Sequence, residues 1–363
     1  MWVEVFPVGP PDREYLHPCG RVSGRHTLGV VTDTPTPYAV SDLLDLLDLR
    51  EVGTLRTGWS VDAAEGLAAE GLAAGGLAEE GLAAEVGRGQ RAARVFRGAS
   101  QKQRYERTFG GQLLAQAIVA AGRTVVADPA GRGRPLHSTH TTFLLSGADT
   151  DDVHYVVEPL SDGRSFSTRR VSAVQHGTLL AVVTASFQEV SDGWDHAEPM
   201  PADVPSPETL PNVAQALAGV PEPYAVVCIL DGPIELRHVE GHLYAGPRPD
   251  LVARQGVWLR SRRTLPDAPI IHAAFLAYAS DYSILESVLR RHGTAWSDPR
   301  LRQASLDHAM WFHRTGRADE WVLHTGHSPS ASGGRGLGLG RMYAADGTLL
   351  ASIAQEGMLR LKS

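Results

Sequence analysis

Two rhythms of apolar residues alternate along the chain. Over Phe109–Val125 the apolar positions Leu113, Leu114, Ala117, Ile118 and Ala121 recur at helical spacing. So few polar residues interrupt them that the helix is expected to lie enclosed by a sheet. Strand-like runs follow at about 136–145, 152–159, 166–176 and 179–189, and His176-Gly177 supplies a tight turn between the last two. One long helix followed by an antiparallel meander is an α+β unit. Seven prolines from Pro199 to Pro223 then mark a linker.

Beyond the linker the pattern recurs, with a helical stretch from about Ile270 to His292 and strands at about 302–313, 320–328, 335–345 and 348–360. Gly177-Thr178-Leu179-Leu180-Ala181 returns as Gly347-Thr348-Leu349-Leu350-Ala351, at an offset of 170 residues. Phe143-x-x-Ser146-Gly147 returns as Phe312-x-x-Thr315-Gly316, at an offset of 169. Two matches whose offsets agree to within one residue predict a duplicated fold whose copies pack together and bury the sheet edge that each would otherwise expose.

Ahead of the first unit, Leu43, Leu44, Leu46, Leu47 and Leu49 alternate with Asp42, Asp45 and Asp48, so a docking helix capped by Ser41 is expected within 38–62. Gly66, Gly71, Gly76 and Gly81 each open a Gly-Leu-Ala triplet. Five residues turn a helix about 140° past a full circle, so these leucines spiral instead of forming a stripe. Residues 63–90 therefore read as an Ala-rich spacer. Residues 1–37 show no sustained period and read as a poorly ordered leader. The expected organisation is completed by a first unit at 91–192, the Pro-rich linker at 193–223 and a second unit at 224–363.

At 363 residues and 43% hydrophobic, the chain has enough apolar mass for two domains, and disorder is excluded for most of it. A net charge of -7 argues against a general nucleic-acid binder. Only Lys102 and Lys362 are lysines, so any phosphate must be met by arginine forks. Cys19 and Cys228 support neither a disulfide framework nor a cysteine zinc site, which fits a reducing cytoplasm. No apolar run approaches the roughly 18 residues of a membrane span, and Met1–Tyr15 lacks the apolar stretch of a signal peptide.

Several chemistries are set aside first. Gly163-Arg164-Ser165-Phe166-Ser167 lacks the closing glycine and following helix of a nucleophile elbow. The glycine-rich run Gly333–Gly340 fits no nucleotide motif and reads as a strand closely approached by backbone or ligand. His137-x-x-His140 and His324-x-x-His327 come without a third ligand at metal spacing, so neither metal nor cofactor is expected. The halves differ where their long helices are aligned: Gly110-Gly111-Gln112 in the first, Ser280-Asp281-Tyr282 in the second. The second half also carries Ser305 and Gln355 in polar-rich strands. A carboxylate, a hydroxyl and an amide brought together could hold one water by three hydrogen bonds, the apparatus for activating water without a metal.

Val95-Phe-Arg-Gly98, Phe109-Gly-Gly-Gln112, Ser165-Phe-Ser-Thr-Arg-Arg170, Thr184-Ala-Ser-Phe-Gln188, Ala279-Ser-Asp281, Ser305-Leu-Asp-His-Ala-Met-Trp-Phe-His313, Ser328-Pro-Ser-Ala-Ser-Gly-Gly-Arg-Gly336 and Ala354-Gln-Glu-Gly357 stand in collinear order. Together they resemble the acyl-CoA thioesterase II (TesB-like) family over about residues 38–361, apart from the Gly-Leu-Ala insert. The resemblance implies an α+β double hotdog, two long helices wrapped by a continuous antiparallel sheet. It implies an acyl-CoA thioesterase whose Asp, Thr or Ser, and Gln fall on Asp281, Ser305 and Gln355.

On this reading Asp281 deprotonates a water, Ser305 and Gln355 fix it, and the water attacks the thioester carbonyl of a fatty acyl-CoA. Backbone N–H groups at Gly110-Gly111 are candidate oxyanion donors. Ser305 as a covalent nucleophile would need a base, and strand alternation puts Asp307, not His308, on its face. Arg169, Arg170, Arg335 and Arg341 are candidates for the CoA phosphates, and Phe143, Met310 and Trp311 for lining the acyl slot. Two rivals are an enoyl-CoA hydratase, for which Asp149 and His154 have the spacing, and a non-catalytic acyl-CoA-binding protein. Two-fold symmetry being the commonest assembly, a homo-oligomer is expected.

Overall fold

The computed structural model describes residues 43–55, 92–103, 106–126, 133–218 and 232–362; the expected leader, the Ser41 cap and the Gly-Leu-Ala spacer lie outside them. Among the described residues thirteen strands form one antiparallel sheet: β1 Arg50–Leu55, β2 Ala93–Gly98, β3 Leu136–Phe143, β4 Val153–Asp162, β5 Phe166–Gln175, β6 Thr178–Gln188, β7 Ile234–His238, β8 Arg254–Ser261, β9 Leu301–Ser305, β10 Asp307–Phe312, β11 Val322–Ser332, β12 Arg335–Ala344 and β13 Leu349–Leu361. Their order is β1-β2-β4-β5-β6-β3-β10-β13-β12-β11-β8-β7, with β9 also on β13. Read outward from the β3–β10 seam, the two halves have the same order. That mirrored order is the structural form of the 170-residue repeat, a double hotdog.

The seam is hydrogen-bonded from Asp307↔Thr142 to Trp311↔Ser138, so each half covers an edge of the other. At the turn between β5 and β6, His176 and Gly177 both have positive φ, 48° and 70°, as the short hairpin requires.

Helix α2 (Gly110–Val126) fills the concave side of the first half, with Leu114, Ala115, Ala117, Ile118, Ala120 and Ala121 fully buried. Alanine, leucine and glutamine favour the helix locally, and an all-round apolar surface is stable only inside a core. The second half departs from the expected single helix over 270–292. It is broken into α4 (Pro269–Ser280) and α5 (Glu286–Arg291) by turns at 281–285. Helix α4 packs against α2 of the first half, and its last residue, Ser280, reaches His308 on β10 at 2.8 Å. Helix α5 takes the place over β8, β11 and β12. The glycines of β12 allow this close seat: a Cβ on Gly338 would lie 2.5 Å from the Ile284 carbonyl oxygen, and one on Gly336 would lie 2.7 Å from Val288.

The N-terminal docking helix also ends earlier than the leucine pattern predicts. Among the described residues it is α1, Leu43–Leu47, which ends before Leu49 and buries Leu43, Leu46 and Leu47 in the main core. The β-branched Val52 and Thr54 beyond it, with Gly53 between them, sit in strand β1 on β2. Part of the Pro-rich linker is itself packed: Met200, Val204 and Leu210 cover Trp258, Leu323, Tyr343 and Leu349, and the Trp258 indole N–H donates to the Pro205 carbonyl at 2.9 Å. Among its described residues are also a 3-10 turn (Pro207–Thr209) and a short helix α3 (Val213–Ala216), opened by an Asn212/Gln215 capping box. Strands β1, β2, β7 and β8 went unrecognised in the sequence, although β7 alternates inward Ile234, Leu236 and His238 with Glu235 and Arg237.

Candidate active site

Asp281 terminates α4, Ser305 ends β9, and Gln355 lies in the middle of β13. The three side chains converge. The Gln355 amide nitrogen donates to Asp281 Oδ1 at 2.7 Å and to Ser305 Oγ at 2.9 Å, and the Ser305 hydroxyl lies 3.4 Å from the same carboxylate oxygen. Gln355 is fully buried, while Asp281 and Ser305 are partly open.

The alignment of Asp281 with Gly111, which opens α2, predicts a helix start for Asp281, and the structure corrects this. Asp281 stands at the C-terminal end of its own helix, where the dipole repels a carboxylate. Its compensation comes from the other half of the molecule, where the Gly111 N–H at the start of α2 donates to it. The Gly110-Gly111 pair makes that approach sterically feasible. A Cβ on Gly110 would lie 2.7 Å from Asp281 Oδ2, and one on Gly111 2.5 Å from the Tyr278 carbonyl oxygen. The Gly111 N–H, a candidate oxyanion donor, therefore stands beside the carboxylate.

Burial pushes the Asp281 carboxyl above its ordinary range, and the Gln355 amide, the Gly111 N–H and the Ser305 hydroxyl pull back against it. A carboxylate held this way is a stronger base than one in water.

Strand alternation misassigned one neighbour. The register Ser305↔Gly357 on β13 changes by one residue to reach Ala309↔Ala354, with the Leu306 N–H donating to the Glu356 carbonyl between them. This bulge reverses the parity, so Ser305 and His308 face inward although they are three residues apart. His308 is fully buried, and its Nε2 lies 2.8 Å from Ser280 Oγ. Asp307 is exposed and accepts the Glu356 N–H.

The arginines expected to meet phosphate divide. Arg169 is 2% exposed, with its guanidinium committed to Thr124 Oγ1, Asp162 and the carbonyls of Ser161 and Thr168. It is an internal brace, unavailable to CoA. Arg170, Arg335 and Arg341 reach the surface and pair with Glu158, Glu356 and Glu198 at 3.8, 3.1 and 3.2 Å. Of the acyl-slot residues, Phe143 borders Gly110, Met310 is sealed in the core, and Trp311 lies on the outer face edge-on to His140. The Asp149 carboxylate is occupied by the Gln103 N–H at 2.6 Å and by Lys102 at 3.4 Å.

Residues not foreseen complete the wall. Phe109 packs edge-on against Tyr278 and Tyr282, at centroid distances of 5.3 and 4.8 Å, the two tyrosines flanking Asp281 in sequence are tilted against each other at 5.6 Å, and the Tyr278 hydroxyl donates to Gln101 Oε1 at 2.6 Å. The i,i+4 spacing of the two tyrosines around Asp281 was a legible signal.

The sequence pattern of the family described as "Acyl-CoA thioesterase" matches residues 240–358, and that of "Acyl-CoA thioesterase N-terminal domain" matches 100–188. The chain is 36% identical over 274 residues to acyl-CoA thioesterase 2 of Haemophilus influenzae, covering 73% of this chain and 92% of that protein. It is 38% identical over 269 residues to acyl-coenzyme A thioesterase 8 of Mus musculus, covering 71% and 81%. Among solved structures it is similar to an acyl-CoA thioesterase II TesB2 from Mycobacterium marinum, with a TM-score of 0.59, 40% identity and coverage of 74% and 94%.

Proposed function

The chain belongs to the acyl-CoA thioesterase II family and is a thioester hydrolase, and from that premise we propose that Asp281, Ser305 and Gln355 hold and activate the water that cleaves a fatty acyl-CoA. One observation carries the reading: a single amide nitrogen, Gln355 Nε2, is within 2.9 Å of both a carboxylate and a hydroxyl delivered by separate elements.

In the proposed step the water oxygen bonds to the thioester carbonyl carbon while one of its protons passes to the Asp281 carboxylate, and the carbonyl electron pair moves onto oxygen. Collapse of that tetrahedral species breaks the carbon–sulfur bond. The sulfur keeps the bonding pair and takes the proton back from Asp281, leaving a carboxylic acid and free CoA. Ser305 and Gln355 fix the water in line with the carbonyl, which removes orientational freedom before the reaction.

The surface arginines Arg170, Arg335 and Arg341 remain our candidates for the CoA phosphates, since displacing one carboxylate partner leaves a guanidinium fork open to an anion. We take 91–192 and 224–363 as the two hotdog units joined by 193–223, and propose a cytoplasmic homo-oligomer acting in lipid metabolism. No helix among the described residues is long and apolar enough to cross a membrane.

The test is thiol release from short-, medium- and long-chain acyl-CoAs by the parent and by Gln355→Ala, with the intact protein mass recorded during turnover. The water mechanism predicts thiol release that falls about 10²-fold or more in the variant, on the scale of losing a positioned catalytic group, and no acyl adduct on the protein. An acyl adduct on Ser305 would replace it with a covalent mechanism. Consumption of an enoyl-CoA without free thiol would point to hydration.

A further inference from the structure

Behind the three converging groups, the sheet places a row of three inward-facing polar residues on adjacent strands. Thr141 on β3 is paired directly with His308 on β10, and the register Ala309↔Ala354 sets His308 beside Gln355 on β13. All three are buried, His308 and Gln355 completely. Each has one buried polar atom that makes no hydrogen bond: Thr141 Oγ1, His308 Nδ1 and Gln355 Oε1.

The bonds that are made define what these atoms need. With the Ser280 hydroxyl hydrogen assigned to the Ala277 carbonyl at 2.8 Å, the 2.8 Å contact with His308 is assigned as accepted from the ring Nε2–H. That leaves His308 Nδ1 as a bare acceptor. Burial, with the neighbouring His324 adding to it, holds the ring neutral, pushed down to about 3. The Gln355 amide has turned its nitrogen to Asp281 and Ser305, so Oε1 is likewise a bare acceptor. Thr141 supplies a hydroxyl that donates as well as accepts. Two acceptors and one donor, none of them paired, suit a single water: it donates once to Gln355 Oε1 and once to His308 Nδ1, and accepts from Thr141. Buried water characteristically makes about three such bonds to otherwise unsatisfied groups.

We infer that Thr141, His308 and Gln355 form a binding site for one ordered water molecule, distinct from the attacking one, and that this water fixes which way the Gln355 amide faces. With Oε1 so anchored, only Nε2 can point at Asp281 and Ser305. Were the amide to flip, its oxygen would face the carboxylate and the attacking water would lose a holder. His308 and Thr141 are positioning residues that act through Gln355; Ser280 sets the ring nitrogen that faces the water. The kinetic consequence rests on the thioesterase mechanism proposed above, but the water site itself does not.

The test joins a crystal structure of the full chain, at a resolution that shows ordered water, to steady-state kinetics of His308→Phe, His308→Asn and Thr141→Val. Water density within hydrogen-bond reach of all three atoms is expected in the parent. His308→Phe and Thr141→Val are expected to lower kcat by about 10- to 100-fold, the scale on which partners behind an active-site ligand act, with KM unchanged. His308→Asn, which restores an acceptor near the Nδ1 position, should recover part of the loss. A dry site in the parent, or three side chains bonded to one another, overturns the inference whatever the kinetics. Unchanged kcat in both His308→Phe and Thr141→Val overturns the positioning role. If Asp281→Asn is equally unimpaired, it is the mechanism that fails, while the density still decides the water site. Thr141→Val keeps the test open should His308→Phe not fold.

Discussion

An aspartate in the unfolded chain is ionised in water at neutral pH, whereas folded Asp281 must be ionised against the cost of burial. For an acid whose pKa is raised on folding, the folded state binds the proton more tightly. Its contribution to stability is therefore complete below the ordinary carboxylate range and is lost as pH rises through the raised value. Asp281→Asn is expected to raise Tm at neutral pH, with the gain shrinking as the buffer is made acid, measured by thermal melts across pH. His308 has the opposite sign. Its folded value of about 3 lies below the ordinary 6.5, so the unfolded chain takes up a proton that the folded one refuses, and stability falls as pH drops from 6.5 toward 3. His308→Asn should flatten that acid limb. The arginines separate in the same way: Arg169→Met is expected to lower Tm by removing a buried, fully bonded guanidinium and to leave KM for acyl-CoA unchanged, whereas Arg335→Ala should raise KM and spare Tm.

At the scale of elements, the candidate site depends on backbones that approach where glycine leaves room. Gly338→Ala would press a methyl group against the Ile284 carbonyl and is expected to cost about 1–3 kcal/mol in denaturant melts, the usual toll of overpacking, while lifting the 281–285 turn from β12. The helix α2 and strands β3 to β6 were legible because each is long and strongly periodic. The glycine run Gly333–Gly340 was rightly read as a place of close approach, but the approaching group, Ile284, belongs to a turn that the apolar run 270–292 conceals. Nothing in that run breaks helical spacing; the break comes from tertiary demand, since α4 packs on α2 while α5 packs on the sheet. The bulge after Ser305 was hidden for the same reason. A one-residue register change leaves no compositional mark, yet it decides that His308 and not Asp307 faces the core.

In the whole molecule the two halves are unequal partners. The repeat was readable from a shared offset, but the offset alone did not reveal that the second half's carboxylate is received by the first half's helix, through Gly110 and Gly111. Expressed separately, 91–192 and 224–363 would each expose a seam strand, β3 or β10, and neither would hold Asp281 in its place. Each half alone is expected to aggregate or remain inactive in thiol-release and sedimentation measurements, and activity from the second half alone would contradict the cross-half site. The central claim, that Asp281 is the base acting on water, is tested most directly by the kcat of Asp281→Asn for thiol release, measured beside its melting temperature. A fall of about 10²- to 10⁴-fold in kcat with an unchanged or higher Tm is the predicted result. A variant that turns over at the parent's rate would contradict it.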